Sequence, residues 1–94
     1  MSKTTADISP ATVAILRSSH FTATLRTETG SHYTLVVRPH AGAVLIHDDK
    51  GWVVQGKRIR VAMDNSIQLF GEFKGEWRVL ARTTPVVHAY ILSN

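Results

Sequence analysis

Over much of 21–92 the apolar side chains recur at every second position, the spacing of strands with one buried face and one wet face. In Phe21-Thr22-Ala23-Thr24-Leu25-Arg26, Phe21, Ala23 and Leu25 share one face, and Thr22, Thr24 and Arg26 the other. After a turn at Thr29-Gly30-Ser31, Tyr33, Leu35 and Val37 alternate with His32, Thr34, Val36 and Arg38. A three-residue loop puts both apolar sets on one face, opposing Thr27 to Tyr33 and Leu25 to Leu35. A two-residue loop would divide them between faces, so the pattern selects the longer one.

Punctuation by turn residues continues along the chain. Pro39-His40-Ala41-Gly42 breaks the second strand, a short apolar strand covers 43–47, and Asp48-Asp49-Lys50-Gly51 turns the chain back into 52–55. Beyond Gly56-Lys57, residues 58–63 alternate with Ile59, Val61 and Met63 inward. Asp64-Asn65-Ser66 leads into 67–73, where Ile67, Leu69 and Phe73 face the core. Lys74-Gly75-Glu76 leads into 77–82, with Trp77 and Val79 inward. Thr83-Thr84-Pro85 interrupts before a last strand over 86–92, with Pro85 marking an edge, a break or a bulge.

Before the first strand, residues 1–8 read as a flexible N-terminal arm and 9–94 as a single β domain. Ser9-Pro10 has the chemistry of a helix start, Ser as cap and Pro at the first helical position. Val13, Ile15 and Leu16 give the following turns an apolar side, although β-branched residues leave a strand open for 12–16. The predicted fold is all-β: a small meandering antiparallel barrel or sandwich of about six to eight short strands with one short N-terminal helix. Closure into a barrel is the expected way of removing two unprotected edges.

Composition narrows the setting. At 94 residues with 44% hydrophobic side chains, the chain can bury one core and is no disordered tail. The absence of Cys excludes disulfides, thiolate metal sites and a cysteine nucleophile. With no signal-like apolar segment and no membrane-spanning stretch, a soluble, cytoplasmic protein is expected. The net charge of +4 is uneven. Residues 1–56 carry five basic and four acidic side chains, residues 57–94 six basic and three acidic. This balance points to an anionic partner: nucleic acid, a nucleoprotein complex or an acidic protein surface.

The excess gathers on the polar face of 57–82. If Met63 opposes Ile67 and Phe73 opposes Trp77, the outward residues form three cross-strand rows. Arg58, Glu72 and Arg78 make the first, Arg60, Phe70 and Leu80 the second, and Ala62, Gln68 and Arg82 the third. The expected partner-binding residues are therefore Lys57, Arg58, Arg60, Phe70, Arg78, Leu80 and Arg82. An aromatic ringed by Arg suits bases that stack while guanidinium groups meet phosphates. It equally suits a protein hot spot. In a purely structural role, Phe70 and Leu80 would pack under the helix or across the barrel, and Glu72 would pair with Arg58 and Arg78.

Little else carries chemistry. The five His side chains have no metal-ligand spacing, and Asp48-Asp49-Lys50-Gly51 is accounted for as a turn, so neither a metal nor a cofactor is expected. No nucleophile elbow or glycine-rich phosphate loop is present, so no catalytic residue is assigned. Trp52 follows Gly51 at a strand start, where an indole caps the end of a barrel or, if exposed, extends a partner-binding surface around Val53 and His47. The last strand is apolar on both faces, which makes Val87, Ala89 and Ile91 a possible homodimer strand. The expected function is a non-catalytic basic module that recognises nucleic acid or a ribonucleoprotein. The alternative is a protein-interaction or inhibitor module from a mobile element, such as a phage anti-defence protein, and a small ribonuclease-like toxin using His88 or His32 is a minor one.

Overall fold

In the computed structural model, which describes residues 10–18 and 20–93, one short helix precedes eight strands. The expected arm over 1–8 and the Ser9 cap lie outside the described residues. Helix α1 (Pro10–Leu16) is followed by β1 (Phe21–Thr27), β2 (His32–Arg38), β3 (Gly42–His47), β4 (Val53–Gly56), β5 (Arg58–Val61), β6 (Ile67–Phe73), β7 (Glu76–Arg82) and β8 (Val86–Ser93). Two antiparallel sheets form, one ordered β4-β3-β2-β1-β8 and the other β5-β6-β7. Of the two expected forms, barrel or sandwich, the chain builds the second: two sheets pack around one core. No helix among the described residues is long and apolar enough to cross a membrane.

The core follows the alternation read for β1, β2, β5 and most of β6. Phe21, Ala23, Leu25, Leu35, Ala43 and Leu45 from the large sheet meet Val61, Ile67 and Leu69 from the small one, and all are buried. Leu16 closes one end from the helix, and Val13 and Ile15 pack beside it. At another margin Tyr33, His47 and Trp52 form an aromatic cluster, with ring centroids 4.5, 5.9 and 5.2 Å apart. Trp52 is thus half-buried against the core. Burial pushes the Tyr33 phenol up, and the nearby Asp49 charge adds to the shift.

Register departs from expectation in two different ways. In the β1–β2 hairpin Leu25 pairs with Tyr33, not Leu35, and the loop is Glu28-Thr29-Gly30. Gly30, at φ 87°, occupies the last loop position, where a type I turn is completed by one left-handed residue. The β5–β6 hairpin repeats this: Val61 pairs with Ile67 around Met63-Asp64-Asn65, and Asn65 takes φ 68°. Both registers move by two residues, so every side chain keeps its face. Met63, expected inward, sits in the loop and is fully exposed.

The β6–β7 hairpin moves by one. Lys74 (φ 54°) and Gly75 (φ 82°) both adopt the left-handed conformation, a two-residue type I′ turn that pairs Phe73 with Glu76. An odd shift exchanges the faces of β7, so Trp77 and Val79 point outward and are 54% and 43% exposed. A bulge then absorbs Leu80, after which Leu69 pairs with Ala81 and Gln68 with Arg82. Since β7 changes faces, Phe73 also loses its expected cover and is largely exposed.

The two sheets are joined at a tight corner. The chain leaves β4 at Gly56 and enters β5 at Arg58, with the Lys57 amide donating to the Phe70 carbonyl at 2.7 Å. Gly42, at φ 88°, lies so close to the Gly56 carbonyl oxygen that a Cβ there would overlap it. This contact holds the β2–β3 turn against the corner.

Candidate functional site

Cross-strand pairing defines the outer face of the small sheet. Arg58 lies opposite Phe70, and Phe70 opposite Val79. The next row is Arg60, Gln68 and Arg82; the row towards the hairpin tip is Glu72 and Trp77. Phe70 and Trp77 sit diagonally and their rings stack, with centroids 6.3 Å apart and planes 10° from parallel. Arg58, Arg60, Arg82, Trp77 and Val79 are exposed and Phe70 half-buried, so the face is open to solvent. Directly opposed side chains lie about 5 Å apart, which makes these rows one continuous surface.

Of the expected site, Arg58, Arg60, Phe70 and Arg82 therefore share a face. Arg78 and Leu80 do not. The one-residue register change carries Arg78 to the other side of the hairpin, where its guanidinium lies 5.8 Å from the Phe73 ring, beside Lys74 at 5.4 Å. Leu80 packs over Gly71 on the inner side, its Cδ1 2.6 Å from where a Cβ on Gly71 would lie. Trp77 and Val79 take the vacated places. The sequence carries no local signal for this exchange, because Lys is an unusual first residue for a type I′ turn.

Residues 72–79 are exposed on both faces, so the end of this hairpin projects beyond the core. One side presents the Phe70–Trp77 stack and Val79, the other Phe73 with Lys74 and Arg78. At the opposite end of β6, the Ser66 hydroxyl and amide donate to Asp64 Oδ1 at 2.7 and 2.9 Å. These bonds, with Arg82 as a smaller contribution, hold the Asp64 carboxyl below its ordinary range.

Lys57 stands at the corner and lines a cleft of about 450 Å³ together with Arg17, Arg38, His40 and Arg58. Arg17, Arg38 and His40 are absent from the expected site because they lie 17 or more positions away from Lys57 in the chain. Nothing in strand periodicity links them.

The other predicted groups are dispersed. His47 is buried, and its Nδ1 accepts the Lys50 amide at 3.2 Å. His32 lies opposite Arg26, and its ring Nδ1 is 3.5 Å from Asp49 Oδ1. Among the described residues no three His, Asp or Glu side chains converge as metal ligands would. Val87 is buried and Ala89 and Ile91 are half-buried; Ala89 and Ile91 pack against the core and pair with Leu25 and Ala23. The exposed apolar side chains of β8 are instead Tyr90 and Leu92. Comparison with protein-family models, curated proteins and solved structures gives no match.

Proposed function

We propose that this domain binds single-stranded nucleic acid, free or within a ribonucleoprotein, through the outer face of its small sheet. The observation that carries the reading is an exposed Trp77 stacked on Phe70 among Arg58, Arg60 and Arg82. A base can extend this stack, and stacking on an aromatic contributes about 1–3 kcal/mol per base irrespective of sequence. The three guanidinium groups meet the phosphates on either side. Glu72 sits at the Trp77 end, so the cationic part of the track runs from Trp77 towards Arg60 and Arg82.

The test is binding of labelled mixed-sequence RNA and DNA single strands across a salt series. If the three Arg side chains each neutralise one phosphate, log affinity falls against log salt with a slope of about −2. Arg60→Glu should flatten the slope and Phe70→Ala should weaken binding at every salt. Absence of binding to both polymers by the folded protein sinks the reading.

A second reading has its own observation. The projecting hairpin carries Phe73 and Trp77 on opposite sides with Arg78, the residue types enriched at protein hot spots. An interaction or inhibitor module would dock this hairpin in a partner's cleft, and Phe73→Ala would abolish a stoichiometric complex without changing nucleic-acid affinity. Twofold pairing through β8, the last strand of the large sheet among the described residues, is compatible with either reading. A single monomeric species at every concentration in sedimentation removes it.

A further inference from the structure

The cleft at the corner has features that the sheet face lacks. It is concave, and its volume of about 450 Å³ lies within the range of small-ligand sites, ~300–1,000 Å³. Arg17, Arg38, Lys57 and Arg58 line it with His40, and among the described residues no carboxylate does. These side chains come from three places: the residue after α1, the β2–β3 turn region and the β4–β5 corner. Gathering four permanent cations in one cleft is unfavourable in itself, and a bound anion relieves it.

One of the four is fixed in advance. Arg38 Nη1 donates to the Phe21 and Val37 carbonyls at 3.0 and 2.9 Å, and Nη2 donates to Thr22 Oγ1 at 3.0 Å. A guanidinium has five N–H groups, so this anchoring is compatible with further donation to a ligand. The Gly42–Gly56 contact fixes the turn against the corner, and with it the spacing of Arg38 and Lys57.

We propose that this cleft is a pocket for a phosphate group carrying more than one negative charge, supplied by the end of a nucleic-acid strand. An internal phosphodiester brings a single charge to four cations, whereas a terminal phosphate carries about −1.5 to −2 near neutral pH. Arg58 connects the pocket to the sheet face, since its cross-strand neighbour is Phe70. A strand whose end sits in the cleft then starts beside the stacking platform. The pocket as a phosphate site is independent of that platform; its assignment to a strand end rests on the proposed function.

The experiment has two arms, both on the full chain. Calorimetric titration with pyrophosphate reads the pocket alone, and anisotropy of labelled oligonucleotides ending in 5′-phosphate, 3′-phosphate or hydroxyl reads the source. Arg17→Glu and Lys57→Ala alter exposed side chains and should retain the wild-type circular dichroism. Pyrophosphate should bind one to one, and each variant should weaken it about tenfold or more, the effect of losing one charge-assisted bond. Phe70→Ala should leave it unchanged. A phosphorylated end should bind about tenfold tighter than a hydroxyl end in the wild type, and equally in Lys57→Ala. No saturable binding of pyrophosphate, or binding indifferent to both variants, overturns the pocket. Variant-sensitive pyrophosphate binding with no preference among oligonucleotide ends overturns the strand-end assignment alone. The same result with no oligonucleotide binding at all overturns the proposed function and leaves the phosphate pocket standing.

Discussion

Gly42→Ala brings two separable penalties to the corner that joins the sheets. The first is conformational: at φ 88° a residue with a Cβ sits in left-handed backbone, which costs about 1–2 kcal/mol. The second is steric. The new Cβ would overlap the Gly56 carbonyl oxygen and stand 3.3 Å from Gly56 C and Lys57 Cα. All three are backbone atoms, so no side chain can rotate away, and overpacking of this kind costs about 1–3 kcal/mol. Together they amount to about 2–5 kcal/mol, a large part of the ~5–15 kcal/mol that stabilises a domain. Two other glycines separate the penalties. Gly30 has φ 87° with nothing within 4 Å of its Cβ position, so Gly30→Ala carries only the conformational cost of about 1–2 kcal/mol. Gly56 has no left-handed φ, but its Cβ would lie 2.7 Å from Leu69 Cδ1 and from the Phe70 carbonyl, so Gly56→Ala carries mainly the steric cost. Urea denaturation followed by far-ultraviolet circular dichroism gives the three free energies. The expected order of stability is wild type, then Gly30→Ala, then Gly42→Ala. Each kcal/mol should lower Tm by roughly 4–8 °C in a domain of this length. If Gly42→Ala is no less stable than Gly30→Ala, the corner is loose and does not set the spacing of the cleft.

Other predictions follow from burial and charge. Leu69→Ala removes a fully buried side chain and should cost about 2–5 kcal/mol, whereas Trp77→Ala loses mainly its contact with Phe70 and should cost roughly 0.5–1.5 kcal/mol; equal losses in denaturation would contradict the outward placement of Trp77. The same Trp77→Ala variant should weaken single-strand affinity about 5- to 150-fold, read by anisotropy, and unchanged affinity would remove the stacking platform. Asp49 is held below its ordinary carboxylate value of 3.8, chiefly by the His32 amide at 2.7 Å, and Asp64 likewise by Ser66. Both therefore contribute stability that is fully present above that value and is lost as pH falls through the lowered one. Urea midpoints from about pH 5 to about pH 2 should decline less steeply in Asp49→Asn than in wild type, and parallel curves would refute the assignment.

Which faces the strands bury was legible in the chain for β1, β2, β5 and β6, because side chains alternate with period two whatever the pairing. The α1 docking residues Leu16 and Val13 were readable from a helix start at Ser9-Pro10 and their spacing of three, and the turns carrying Gly30, Gly51 and Asn65 from their turn residues. Four of the seven expected site residues, Arg58, Arg60, Phe70 and Arg82, come out on one face for this reason. Register was less legible, since it depends on which loop residue takes the left-handed conformation. Moving that residue from the middle of the loop to its end shifts pairing by two and leaves the faces intact. At Lys74-Gly75 the shift is by one, and one residue is enough to exchange Trp77 and Val79 for Arg78 and Leu80. No side-chain pattern encodes that choice: the left-handed Lys74 is imposed by a two-residue hairpin whose Leu80 bulge restores the core pairing further along. The cleft was beyond sequence reading altogether, because charges at 17, 38 and 57 belong to three elements and meet only when two sheets pack around a glycine contact. Alternation is local and survives without the fold; register parity and the meeting of distant charges are set by backbone geometry that forms only in it.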